Sequence, residues 1–147
     1  ATAKFILRIS IVLGKEDGVM PRLKNLVRFG LGGKQGSGTQ FVSWVHAEDF
    51  AHIIEWCIDN PAQQGVYNCC VPNPVTNSFL MRSMRSTMNM PLGLPATEWM
   101  LAIGALLIGT ETELILKSRR VVPAKLLQKG FVFKYPVIGA ALKEILA

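Results

Sequence analysis

Ser43, His46 and Asp49 are the residue types of a nucleophile–base–acid relay, and they fall three apart in the chain. Such a relay needs hydroxyl, imidazole and carboxylate in series within hydrogen-bond reach. A spacing of three across a strand-to-helix junction scatters them instead. No Gly-x-Ser-x-Gly elbow is present. Tyr67 is followed four residues on by Val71, and Tyr135 by Gly139, so neither opens the Tyr-x-x-x-Lys pair in which a lysine lowers a tyrosine pKa for proton transfer. No catalytic residue is therefore assigned within the chain. His46 reads as a structural, hydrogen-bonded histidine and Asp49 as an acid at a helix start. Trp44 reads either as core or as a platform lining a pocket.

Gly30, Gly32, Gly33, Gly36 and Gly38 invite a phosphate-loop reading, and spacing decides it. A dinucleotide fingerprint needs Gly-x-Gly-x-x-Gly after a strand. Counting from Gly30 and Gly32 the third position is Gln35, and from Gly36 and Gly38 it is Phe41. A Walker A loop needs Ser or Thr after Gly33-Lys34, where Gln35 stands. The run reads as a turn needing positive φ, with a loop whose backbone approaches a ligand as the second reading. His46 and His52, six apart, lack the i, i+4 geometry of a paired metal site, and no metal is expected. Cys57, Cys69 and Cys70 form no CxxC, and the adjacent pair on a strand points to opposite faces. They read as reduced, buried thiols of a cytoplasmic protein.

The chain has 147 residues, half of them apolar, 18% charged, with a net charge of +6. That is the size and composition of one domain or two small lobes sharing a core. Residues 1–39 carry seven Lys/Arg against two acids, residues 40–81 none against four, and residues 82–147 nine against four. The positive charge is thus divided between two ends, with no RGG run or RNA-recognition signature, and nucleic acid is not expected as a partner. Phosphorylated small molecules would use the same field. The most apolar run, Trp99 to Ile108, is roughly half the length of a spanning helix, so no membrane span is expected. A chain opening on Ala1-Thr2-Ala3 and entering an apolar strand almost at once reads as a trimmed piece or an internal fragment.

The elements that must position these residues follow from periodicity. Phe5 to Leu13 is nearly continuous apolar and β-branched, the pattern of a strand buried on both faces of a parallel sheet. Met20 to Phe29 has helical spacing with one basic face. Gln40 to Val45 reads as a strand, followed by a helix with Phe50, Ile53, Ile54, Cys57 and Ile58 as its apolar stripe, ended by Asn60-Pro61. Gly65 to Val71 is a further strand. Thr76 or Asn77 caps a helix that halts before Pro91. Thr97 caps a helix over 98–108, and a second helical stretch covers 113–117. Pro123 and Gly130 bracket another helix, Phe131 to Lys134 forms a short strand, and Val137 to Leu146 a terminal amphipathic helix.

Three stretches together carry a resemblance. Leu7 to Gly14, LRISIVLG, looks like the late Rossmann strand of extended short-chain dehydrogenases/reductases, which ends in Arg-x-x-x-Val-x-Gly beside the nicotinamide. Ser43 to Phe50, SWVHAEDF, resembles their aromatic-Val/Ile-His-Val-x-Asp strand-to-helix element, and Gly65 to Asn68 their Gly-x-Tyr-Asn strand. GLGGKQGSGTQ, together with Val121 to Leu127 and Gly130 to Phe133, is similar to epimerase-like members that carry a characteristic C-terminal extension.

The resemblance implies an α/β fold, the C-terminal portion of a Rossmann-like extended short-chain dehydrogenase/reductase plus a small, mostly helical lobe, with residues 1–72 in the first part and 73–147 in the second. The fingerprint and the Tyr/Lys pair of that family lie upstream of this chain. The parent would bind NAD or NADP and a small-molecule substrate of the nucleotide-sugar class, while the chain alone would neither hold the cofactor nor turn over. Ser10 and Ile11 would lie near the nicotinamide. Gly33, Gln40 and Trp44 would line the substrate pocket, braced by His46 and Asp49. Many members have arginine before Gln40, where this chain has Thr39, which puts an anionic substrate group at that spot in doubt. The alternative is a non-catalytic interaction module of the same fold. Strand Phe5–Leu13 is too apolar for a naked edge, so either the N-terminal Rossmann half or a second copy is expected against it.

Overall fold

A computed structural model describes residues 2–16, 18–97 and 117–147. The helices expected over 98–108 and 113–117 lie outside the described residues, save for Lys117. The long apolar strand is not one strand but two. β1 (Phe5–Ile9) and β2 (Ile11–Leu13) are separated by Ser10. β1 pairs in parallel with β5 (Gly65–Cys69), and β2 pairs in parallel with β4 (Trp44–His46). Ser10 is the switch: its N–H (3.2 Å) and its hydroxyl (2.8 Å) both donate to the Cys69 carbonyl, while the next N–H, Ile11, donates to the Ser43 carbonyl at 3.3 Å. Burial on both faces, expected from the apolar run, does not occur in β1. Ile6 is 60% and Ile9 53% exposed, so neither face of β1 is fully covered by the described residues, and among them its sheet neighbour lies on the β5 side only.

α1 (Met20–Arg28) starts at Pro21, buries Met20, Leu23 and Val27, and leaves its basic residues outside. The expected strand 40–45 is interrupted at Ser43, giving β3 (Phe41–Val42) before β4. β3 pairs antiparallel with β6 (Val75–Thr76). α2 (Ala47–Asp59) buries Ile53 and Cys57 and stops where the Asn60 side chain donates to the Trp56 carbonyl at 2.8 Å. Thr76 caps α3 (Asn77–Thr87) by accepting from the Phe79 N–H at 3.3 Å, and Leu80, Met81 and Met84 make its buried face. The helix ends at Thr87, short of Pro91, with Asn89 at φ 53°. α4 (Ala124–Gln128) follows Pro123 and is closed by Gly130 at φ 82°. α5 (Ile138–Ile145) buries Ile138, Ala141, Leu142 and Ile145.

Residues 131–134 form no strand, contrary to the pattern-based expectation. Their backbone finds a side chain, Asp49, instead of a ladder partner. Their aromatic rings nevertheless tie them inward. Phe131 packs edge-on to Phe133 (4.9 Å) and to Trp56 (6.4 Å), Trp56 in turn to Tyr67 (5.5 Å), and Phe5 stacks on Tyr67. One buried cluster therefore runs from Leu13, Trp44 and Val45 through Ile53 and Tyr67 to Leu126, Leu142 and Ile145. Among the described residues no helix is long and apolar enough to cross a membrane.

Candidate functional site

The strand break at Ser10 opens a cleft of about 310 Å³ at the carboxyl ends of β1 and β5. Parallel strands that part company leave a crevice just beyond their carboxyl ends, the usual place for a ligand in such sheets. One wall is Arg8, Ile9, Ser10 and Ile11. A second is Phe41, Val42 and Ser43, and a third is Asn68 with Cys70. The rim is the extended segment 117–122, which contributes Lys117, Arg119 and Val121.

That segment is held by one backbone bond to Phe41 and several side-chain bonds. The Ser43 hydroxyl donates to the Arg119 carbonyl at 2.7 Å and accepts from the Val121 N–H at 2.8 Å. Its own carbonyl is already engaged by Ile11. Phe41 receives the Arg119 N–H on its carbonyl at 2.9 Å and donates its N–H to the Ser118 hydroxyl at 3.0 Å. Arg120 lies 5.0 Å over the Phe41 ring, and the Asn68 side chain donates to the Val122 carbonyl. Burial pushes the Cys70 thiol up to about 11 and the Cys69 thiol up to about 12, so neither is a thiolate at neutral pH. Cys57, Cys69 and Cys70 are all free and buried.

A second polar constellation sits at the start of α2. His46 Nδ1 accepts from the Glu48 N–H at 3.1 Å, which leaves Nε2 as the protonated nitrogen donating to Glu144 at 3.0 Å. The ring also rests on Tyr135, centroids 4.1 Å apart. Glu144 is shared with Lys15 at 3.1 Å, and the hydrogen bond from Lys15, then that from His46, lowers its pKa. The fully buried Asp49 accepts the Lys134 N–H at 2.7 Å and the Tyr135 N–H at 2.9 Å, one on each carboxylate oxygen. Lys134 returns to Glu48, whose pKa that hydrogen bond lowers while its own rises. His46 and Asp49 therefore fasten residues 134–144 to the sheet.

Of the residues singled out from the sequence, the structure brings Ser10 and Ile11 to the cleft. Trp44 is fully buried in the core, its carbonyl taken by the Val71 N–H. Gln40 is buried too, bonded to the Gln35 carbonyl (2.8 Å) and the Ser37 hydroxyl (2.9 Å), in a network with Asn77. Gly33 stands against residues 93–96, where a Cβ would meet the Gly93 and Leu94 carbonyls at 2.6 Å. Much of the glycine-rich loop is committed there. Gly33 and Gly36 donate to the Leu94 and Ala96 carbonyls, and Leu94 and Ala96 donate back to Gly30 and Lys34. Arg8 and Asn68 stand in the motifs that carry the resemblance but have no site role assigned there, Cys70 is read only as a buried thiol, and neither spacing nor resemblance singles out Lys117 or Arg119. The basic run Lys117-Ser118-Arg119-Arg120 was the available signal, but the residue that registers it is 76 positions away.

Comparison with known proteins agrees with this fold. A domain family described as a domain of unknown function, DUF1731, matches residues 96–145. An Arabidopsis thaliana protein described as an epimerase family protein SDR39U1 homolog, chloroplastic, is 32% identical over 141 residues, covering 96% of this chain and 40% of that protein. The crystal structure of human epimerase family protein SDR39U1, determined with NADPH, superposes with a TM-score of 0.84 at 30% identity over 96% of this chain and 47% of that one. The chain corresponds to the C-terminal half of an epimerase-family protein of the extended short-chain dehydrogenase/reductase fold. A nucleoside-diphosphate sugar epimerase from Corynebacterium glutamicum superposes with a TM-score of 0.72 at 30% identity, covering 97% of this chain and 26% of that one. The chain thus spans less than half the length of each of these relatives.

Proposed function

We propose that this chain is the substrate-side half of an NAD(P)-dependent, nucleotide-sugar epimerase-like oxidoreductase. The cleft at the Ser10 strand break carries the reading. It lies at the carboxyl ends of two parallel strands, and it joins an apolar wall (Ile9, Ile11, Val42) to polar side chains from three separate elements. Those residues fit one end of a nicotinamide cofactor. The cleft offers a flat ring an apolar wall edged by Ser10, while the glycine loop, spent on residues 93–96, leaves no cradle for a pyrophosphate. When bound, the nicotinamide supplies hydride chemistry; this half contributes orientation and a wall that excludes water.

The bare outer edge of β1, with Ile6 and Ile9 exposed, is where the upstream half would pair, or a second copy in its absence. Three buried thiols suit a reducing compartment such as the cytoplasm. The test is a titration with NADPH and NADH of the full-length protein and of the 147-residue chain. Binding by the full-length protein alone is the expected result. Micromolar binding by the chain alone, or none by the full-length protein, contradicts the reading.

A further inference from the structure

We propose that His46 is a proton-operated latch: its neutral form ties the first turn of α2 to the C-terminal segment 134–144, and uptake of a proton releases that tie. The His46 side chain is 5% exposed, and both of its ring nitrogens are engaged. Nδ1 accepts the Glu48 N–H at 3.1 Å and is thereby the side-chain cap of α2, while Nε2 donates to Glu144 at 3.0 Å. The cap needs a lone pair on Nδ1, and an imidazolium has none. A protonated ring would set one N–H donor against another across that 3.1 Å contact, and would add positive charge at the positive end of a helix dipole. None of these groups lines the cleft.

The charged and titratable groups around the ring come from every element packed at this corner: Glu48, Asp49 and His52 on α2, Lys15 after β2, Lys134 and Tyr135 before α5, and Glu144 on α5. Each carboxylate already has a partner of its own. Glu144 pairs with Lys15 at 3.1 Å, Glu48 pairs with Lys134, and Asp49 accepts the Lys134 and Tyr135 N–H groups. Glu144 is thus a counter-charge that the ring shares with a lysine, and a shared carboxylate offsets an imidazolium less than a dedicated one. Loss of the cap loosens the turn that carries Asp49, so release at one ring nitrogen is passed on to the backbone at Lys134 and Tyr135. The segment so held belongs to the region 96–145 matched by the domain family, from which Lys117, Arg119 and Val121 also rim the cleft.

The test compares amide exchange protection at Glu48, Lys134 and Tyr135 of the full-length protein between about pH 8 and about pH 5.5, a range in which histidines as a class take up a proton. Glu48 and Glu144 stay ionised throughout, because hydrogen bonds from Lys134 and from Lys15 lower their pKa values from 4.5. This chain has two histidines, so His46→Asn and His52→Asn separate their contributions. Asparagine offers a capping oxygen and does not titrate. Protection of all three amides is expected to fall by about fivefold or more at the acid end in wild type and in His52→Asn, as for loss of one cap, and to hold steady in His46→Asn. Nitrogen chemical shifts of the wild-type His46 ring should pass from the Nε2–H tautomer to imidazolium over the same range. Unchanged or rising protection on acidification, a fall that stops at Glu48, a fall that persists in His46→Asn, or a ring that stays neutral to the acid end would each overturn the latch.

Discussion

The two ends of this sheet are finished to different degrees. At the α2 end, the His46 and Asp49 side chains make four hydrogen bonds between 2.7 and 3.1 Å, one to the Glu48 N–H at the start of α2 and three to residues 134–144 of the chain's own C-terminal segment. At the β1 edge, a strand of five residues carries two exposed isoleucines and has no neighbour among the described residues on its outer side. The difference teaches where the described residues satisfy one another and where, on the reading proposed above, the upstream half or a second copy would pair.

The largest effect is expected at the closed end. Asp49→Ala leaves the Lys134 and Tyr135 N–H groups without their acceptor in a buried setting, and should cost about 3 kcal/mol in chemical denaturation. Asp49→Asn keeps one acceptor oxygen and should cost less. A loss under 1 kcal/mol for Asp49→Ala would mean that the 131–135 segment is fastened by its aromatic rings alone.

A smaller but sharper effect is expected at the open end, because its sign depends on context. Ile6→Lys should leave the melting temperature of the isolated chain unchanged while shifting it from self-associated species to monomer in light scattering. In the full-length protein the same substitution should destabilise by about 2 kcal/mol, the cost of losing one buried isoleucine. A wild-type chain that is already a monodisperse monomer would count against an unpaired edge.

The smallest effect is electrostatic. The pKa of Glu48 and that of Glu144 are both lowered, chiefly by hydrogen bonds from Lys134 and Lys15, so their contribution is present above the ordinary glutamate value of 4.5 and fades as pH falls through the lowered values. Lys134 is raised above its ordinary 10.5, so its share holds below that value and is lost on the alkaline side. These groups are solvent-accessible, and the stabilisation should shrink in high salt. A melting temperature that rises on acidification below pH 4.5 would reverse the assigned sign.

What was legible in the sequence is what local chemistry decides. The apolar spacing of α1 and α5, the Thr76 cap and the Pro123–Gly130 bracket appear where periodicity and capping place them, whereas of the expected α2 stripe Ile53 and Cys57 are buried but Ile54 (40%) and Ile58 (72%) are exposed. The misses share one cause: backbone satisfied by a partner distant in sequence. The strand 5–13 breaks because Ser10 and Ile11 choose different partners, Cys69 and Ser43. Residues 131–134 look like a strand but answer to Asp49, and the basic segment 117–122 takes its register from Ser43. Periodicity is blind to such choices, which exist only once the chain has folded. The family resemblance reached the late strand and Ser10 because it encodes tertiary context. It did not reach Arg119, whose placement on the cleft depends on a rim held by side chains from elsewhere in the fold.

Residue-resolved hydrogen exchange of the β1 amides, measured on the isolated chain and on the full-length protein, tests the bare edge most directly. The outward-facing amides of residues 5–9 should exchange rapidly in a monomeric sample of the chain, while those paired to β5 stay protected, and all should be slow in the full-length protein. Equal, strong protection of every β1 amide in the monomeric chain would show that the edge is already covered, and would contradict the account.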